Sequence, residues 1–454
     1  MFFSRSLTVF IAAETGLLGY TVYGVGADNS TRNSMYQTDY ITESLQMREQ
    51  LPQENDHLSR IKDHDLHLNS NYPLLLDFPA MSNFTHLVSS DMTDAMENLG
   101  YSQIYTRVVD SPGTPLSDAL LNMKYTFTEY DLDETEYTYL SEFGTCGLYS
   151  NNFTLPAGLI VNSDFMNVDV FSGNAFTNTN ELYRALSSSN DDIFEYTEDK
   201  FDTSDNEYTK TVHIEGTQHL YLWVDIDSSS SETRGSIAVF INEKRVDLTY
   251  FDSTSNYYYP NNFWNELIDC GVRTDEDVRI GLYTVKNVGV VPVVTGTFDD
   301  EKLAELCEMN KDRHGELTTG NRSLTATVSN DGSGDAWIYL PVAYDDGWSC
   351  SLNGSDCQIE PALGGFMAVK LEQGENTIEM DYTPYGLRSG IIISIITALL
   401  TAALYILSRK RPIAPESDST VLKIIDKLYY VGMFAVFAVM YLLTTAYTIY
   451  ANVF

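Results

Sequence analysis

The densest set of groups that could recognise a ligand is aromatic. Tyr257-Tyr258-Tyr259-Pro260 is followed closely by Phe263 and Trp264. Aromatic faces stack on the C–H surfaces of sugars, and tyrosine hydroxyls add hydrogen bonds. Carbohydrate contact is one expectation for Tyr257, Tyr258, Tyr259, Phe263 and Trp264; a loop whose rings cap a β-sandwich core is the other. Asp345-Asp346-Gly347-Trp348 brings adjacent carboxylates to the start of a strand. Asp345 and Asp346 could hold a cation or a polar ligand, although turn chemistry accounts for the same residues. Asp225-Ile226-Asp227 sets two carboxylates on one strand face, without the loop pattern of a calcium site. The seven His show no spacing that calls for a metal. C-x-x-C, Gly-rich phosphate loops and G-x-S-x-G are all missing. The residues themselves therefore imply no metal or cofactor and single out no catalytic group.

Of the five Cys, Cys350 and Cys357 flank Ser-Leu-Asn-Gly-Ser-Asp. A two-residue Asn353-Gly354 hairpin turn would set Cys350 and Cys357 opposite each other, at a spacing a disulfide can bridge. Cys146, Cys270 and Cys307 cannot be paired from the sequence, and the odd count leaves one thiol free or bonded to another chain.

Charge narrows the class of partner. Asp+Glu number 64 against 27 Lys+Arg, a formal net charge of −37. Such a surface repels nucleic acid and free anionic lipid, and tolerates cations, sugars and basic partners.

The elements that would position these groups fall into a mixed, mainly β arrangement. The expected fold is two β-sandwich or jelly-roll-like units after an α+β region, with three transmembrane helices. In the α+β region, residues 28–200, helices are expected at 40–51, 90–99 and 114–122. The last has Thr114 as cap and Pro115 at its first position. A strand is expected at 123–128, and 180–210, rich in Ser and acids, reads as a boundary loop. Alternating runs at 219–227, 236–242 and 278–285 mark the first β unit, 201–298. After a short helix at 299–312, strands at 324–329, 336–341, 348–359, 366–371 and 376–382 mark the second, 299–388.

Hydrophobic runs at both ends predict the spans: 1–27, 389–408 and 428–454, each near the ~20 apolar residues that cross a bilayer. A cleaved signal peptide is the rival for the first. Glu14 sits inside it, as a carboxylate facing partner membrane helices would. The loop 409–427, with Arg409-Lys410-Arg411, Lys423 and Lys427, is basic and is expected in the cytoplasm. A multi-pass protein of the cell membrane with a large extracytoplasmic domain follows.

The C-terminal third carries a resemblance. Ile338-Tyr339-Leu340-Pro341-Val342-Ala343-Tyr344-Asp345-Asp346-Gly347-Trp348 is followed by the Asn353-Gly354 turn. Then come Gly365-Phe366-Met367-Ala368-Val369, Leu371-Glu372-Gln373-Gly374-Glu375-Asn376 and Tyr382-Thr383-Pro384. With Gly113 to Tyr125 and Asn152 to Gly158 ahead of it, this order resembles the YfhO family of bacterial membrane proteins. The resemblance implies a GT-C-like glycosyltransferase that moves sugar from a polyprenyl-phosphate donor onto a cell-surface polymer, teichoic acid in this family. It places the presumed catalytic acid in an early outer loop that this sequence does not match, so no catalytic residue carries over. The chain then reads as the outer-domain portion of such a protein, with the catalytic half elsewhere. The alternatives are a standalone membrane-anchored carbohydrate-binding protein without catalysis, and a structural partner of another membrane complex.

Overall fold

The computed structural model describes residues 44–410 except 53–57, 65–70, 86–87, 105–106, 203–206, 225–236, 246–266, 285–289 and 333, and also residues 42, 427 and 431. It forms two units, Met1–Thr383 and Pro384–Phe454.

In the first unit, strand Thr217–Val224 organises the β architecture. Its odd and even side chains enter different cores, as period-2 alternation requires. Leu220, Leu222 and Val224 join Phe201, Ile280, Leu282 and Val293 in a sandwich core. Tyr221 and Trp223 face the largest core, with Leu116, Phe176, Phe194 and Trp337. The strand is therefore buried on both faces. Its sheet runs Leu267–Thr274, Thr217–Val224, Val290–Phe298, Phe194–Asp202. The facing sheet runs Glu207–His213, Asp277–Thr284, Ile237–Ile241, Lys244–Arg245.

A second sandwich encloses Leu324, Ala326, Ile338, Leu340, Val369 and Ile378. One of its sheets takes in Leu159–Val161, paired antiparallel with Trp337–Ala343, so an early segment completes a late sheet. In the other, Cys350 lies opposite Cys357 and the two are disulfide-bonded, with Cα atoms 5.3 Å apart. Asn353 and Gly354 turn this hairpin with φ of 52° and 78°, the double positive φ of a two-residue turn.

Ahead of both sandwiches, Arg60–Asp63 pairs parallel with Met123–Thr128, and Cys146–Asn151 and Tyr137–Phe143 continue the sheet. Helix Pro115–Leu120 starts at Thr114, whose side chain accepts from the Ser117 N–H.

Two sequence expectations are corrected. The region 180–210 is not a boundary loop: it contains the end of helix Ala175–Ser187, strand Phe194–Asp202 and the start of strand Glu207–His213. One of its polar residues is an internal fastener. Buried Asn180 accepts from the Ile193 and Phe194 N–H groups and donates to the Phe194 carbonyl.

The expectation of three transmembrane helices is also overturned: among the described residues no helix is long and apolar enough to cross a membrane. The runs expected at 1–27 and 428–454 lie outside the described residues, apart from Val431, as does most of loop 409–427. The run at 389–408 belongs to helix Leu387–Lys410, with Ile391, Ile392 and Ile393 exposed.

Candidate functional site

Of the ligand-binding candidates singled out in the sequence, only Asp345 and Asp346 fall among the described residues. Tyr257, Tyr258, Tyr259, Phe263 and Trp264 lie outside the described residues, as do Glu14, Asp225 and Asp227. Asp345 serves a turn: its Oδ1 accepts from the Gly347 N–H at 2.7 Å and its carbonyl from the Trp348 N–H at 3.1 Å. Asp346, beside it, is exposed.

What the fold does assemble is a buried chain of charged groups. Lys62, from the strand Arg60–Asp63, reaches Asp118 at 2.5 Å and the Pro112 carbonyl. Both charged side chains are almost wholly buried, at 2% and 3% exposure. The Tyr101 hydroxyl donates to the other Asp118 oxygen at 2.6 Å. Gly113 makes room for this: its φ is +67°, and a Cβ there would strike the Tyr101 ring. Burial pushes the Asp118 carboxyl up, while Lys62 and Tyr101 pull it back. Burial, and then the Asp118 charge, raise the Tyr101 phenol well above its usual value, so it stays a neutral donor. Tyr72 caps one end of the chain, 2.7 Å from Asp110. Burial raises Asp110 to about 6 against the pull of Tyr72 and Lys62.

The other end centres on His219. Its Nδ1 lies 2.5 Å from Glu136 Oε1 and its Nε2 2.7 Å from Asp269 Oδ1. Glu136 just precedes strand Tyr137–Phe143, while His219 and Asp269 sit on adjacent strands of the first sandwich. Burial opposes charge on His219, but Asp269 and Glu136 outweigh it and raise the imidazole well above its ordinary value. Burial likewise opposes charge on Asp269, yet His219 and the Gly271 N–H hold it well below the usual carboxylate range. Asp300 opens helix Asp300–Asn310, which Asp299 caps through the Lys302 N–H. Burial, then the Glu136 charge, raise Asp300 to about 7. The Tyr137 and Tyr221 phenols are raised by burial and by these same carboxylates, which ties the cluster together electrostatically.

Asp300 also lines a cleft of ≈ 440 Å³ with Asp133, Glu195, Gln218, Thr297 and Glu301. Hydroxyl, amide and carboxylate groups around such a space suit a polyol or a cation, and repel an anion. Sequence reading missed Lys62, Asp118, Glu136, His219 and Asp300. The one local signal was the cap at Thr114, which fixes the helix that carries Asp118.

Among solved structures, the chain is similar to arabinofuranosyltransferase AftD from mycobacteria over 39% of its length and 12% of that protein, at 8% identity and a TM-score of 0.15. It is similar to a conserved protein of unknown function from Pseudomonas aeruginosa over 43% of its length and 76% of that protein, at 9% identity and a TM-score of 0.13. Scores this low carry no argument. An uncharacterised protein YfhO of Bacillus subtilis is 30% identical over 132 residues, which is 29% of this chain and only 14% of that relative. The family described as bacterial membrane protein YfhO matches residues 3–394, a span that holds every residue of the buried cluster, and on that match the chain belongs to the YfhO family.

Proposed function

We propose that this chain is the extracytoplasmic, polymer-positioning portion of a glycosyltransferase-like membrane protein, serving transfer of sugar from a polyprenyl-phosphate donor onto a cell-envelope polymer such as teichoic acid. Family membership across residues 3–394 is the observation that carries this reading. The cleft beside Asp300 supports the sugar-binding part of it, since its groups suit neutral sugar hydroxyls rather than polymer phosphates. Thr135, Thr217, Gln218 and Thr297 offer donors and acceptors for hydroxyls, and Asp133, Glu195 and Glu301 accept from them. The aromatic run from Tyr257 to Trp264 adds faces on which sugar rings would stack.

The acidity of the cleft favours a second reading in one respect. A polyanionic polymer is repelled by these carboxylates, whereas a neutral saccharide is not. A membrane-anchored carbohydrate-binding protein without catalysis would need nothing more. Titration of the purified full chain with teichoic acid and with neutral wall polysaccharide separates the two. The glycosylation reading expects teichoic acid to bind through its neutral sugar substituents, at least tenfold more weakly in Gln218→Ala and Thr297→Ala variants. Binding of neutral polysaccharide alone supports the second reading, and no saccharide binding overturns both.

A further inference from the structure

We propose that Glu136, His219 and Asp300 form a binding site for a divalent transition cation of the Zn²⁺ or Mn²⁺ class, with Asp269 orienting the imidazole from outside. This inference does not depend on the saccharide reading.

Geometry comes first. One ligand atom from each of Glu136, His219 and Asp300 lies within 4.8 Å of the others. Ligand atoms ~2.0–2.2 Å from an ion stand about 3–3.5 Å apart, so a rotamer-scale retreat of Glu136 from His219 makes room. The imidazole is already set for the task. Its Nε2 faces Asp269 at 2.7 Å, and Asp269 is itself held by the Gly271 N–H at 2.7 Å. Metal-ligating histidines commonly donate their second ring N–H to a carboxylate in this way, which fixes the tautomer and turns the other nitrogen to the ion. Here that nitrogen is Nδ1, the one facing Glu136.

Unmet bonding capacity comes second. Among the described residues, buried Asp300 Oδ1 has no hydrogen-bond partner. Such an atom is costly unless something binds it. The charge balance agrees. Glu136, Asp269 and Asp300 bring three carboxylates to one imidazole, while Lys62 is already paired with Asp118. A dication offsets that excess.

Access and rigidity come third. Asp300 lines the acidic cleft, which gives a cation a favourable path inward. His219 lies on a strand, Asp300 opens a capped helix and Glu136 adjoins a strand, so little ordering is needed on binding. One imidazole nitrogen with two carboxylates suits Zn²⁺ or Mn²⁺, whereas Ca²⁺ and Mg²⁺ take oxygen ligands throughout. Sequence spacing could not show the site, because the three ligands come from distant parts of the chain.

Binding releases the His219 Nδ1 proton to solvent, and the Asp300 proton where one is held, so affinity rises with pH. The titratable groups facing His219 are Glu136, Asp269, Asp300 and Tyr221, with Tyr137 acting on the carboxylates and His64 on Asp269.

The test is calorimetric titration of the chelator-treated full chain with ZnCl₂ and MnCl₂, with CaCl₂ as the contrast. One equivalent of Zn²⁺ or Mn²⁺ is expected, with a raised Tm and at least tenfold weaker binding in Asp300→Asn and in Glu136→Gln. Asp300 is only partly buried, so its variant reports even where His219→Gln does not fold. No stoichiometric binding overturns the proposal. So does binding that survives both carboxylate variants, or that is lost instead with exposed His213→Gln.

Discussion

His219 and Glu136 stand 83 residues apart in the chain and meet at 2.5 Å, each about 95% buried. The contact joins the first sandwich to the sheet that precedes it, so the charged cluster is also a structural joint. Burying these groups is costly, and the cost is recovered only while every partner is present.

Removing one partner should therefore hurt more than the contact is worth. Glu136→Ala leaves a buried imidazolium facing Asp269 alone and is expected to cost ~3–5 kcal/mol. Urea unfolding of the full chain measures it, and a loss below ~1 kcal/mol would show that solvent reaches the pair.

The Lys62–Asp118 pair gives a sharper contrast. Lys62→Met alone strands a buried carboxylate and should cost several kcal/mol, about 3–5 by analogy with other buried pairs. Adding Asp118→Leu should restore part of that loss, since the apolar pair itself needs no partner while the Tyr101 hydroxyl and the Pro112 carbonyl lose theirs. Comparing both singles with the double measures the coupling.

Asp110 makes stability depend on pH in a defined direction. Its folded value, about 6, lies above its ordinary 3.8. Between those values the folded chain binds more protons than the unfolded one, so stability falls as pH rises through this window. Asp110→Asn keeps an acceptor for Tyr72 and for the Ser82 N–H. It is expected to stabilise the chain above pH 6, by on the order of 1–3 kcal/mol, and to match the parent below pH 4. Equal stability at both pH values would contradict the burial argument.

His219 works the other way. Its raised value means that its contribution is full below the unfolded imidazole value and is lost as pH rises through the folded one. A His219→Gln variant, where it folds, should lose least relative to the parent at the alkaline end of a pH series of unfolding curves.

Much of the β architecture could be read from alternation, and the hairpin from Asn353-Gly354, because these signals are local. The strand beginning near His219 was legible for the same reason, but the role of His219 was not. Glu136 and Asp300 reach it through pairings that no spacing rule encodes. The helix Ala175–Ser187 was missed because the polar run from residue 180 reads as a loop, yet Asn180 is buried and hydrogen-bonded, as are Asn178 and Thr179 just before it. No spacing in the sequence marks Lys62, and only the fold shows Asp118 beside it and Tyr101 on the same carboxylate.

The most direct measurement of the proposed function is the sugar content of cell-envelope polymers in bacteria deleted for this chain, with and without its return on a plasmid. A fall in polymer-linked sugar, restored by the parent chain but not by a Gln218→Ala, Thr297→Ala double variant that still folds, is the predicted result. Unchanged glycosylation in the deletion strain would contradict the account.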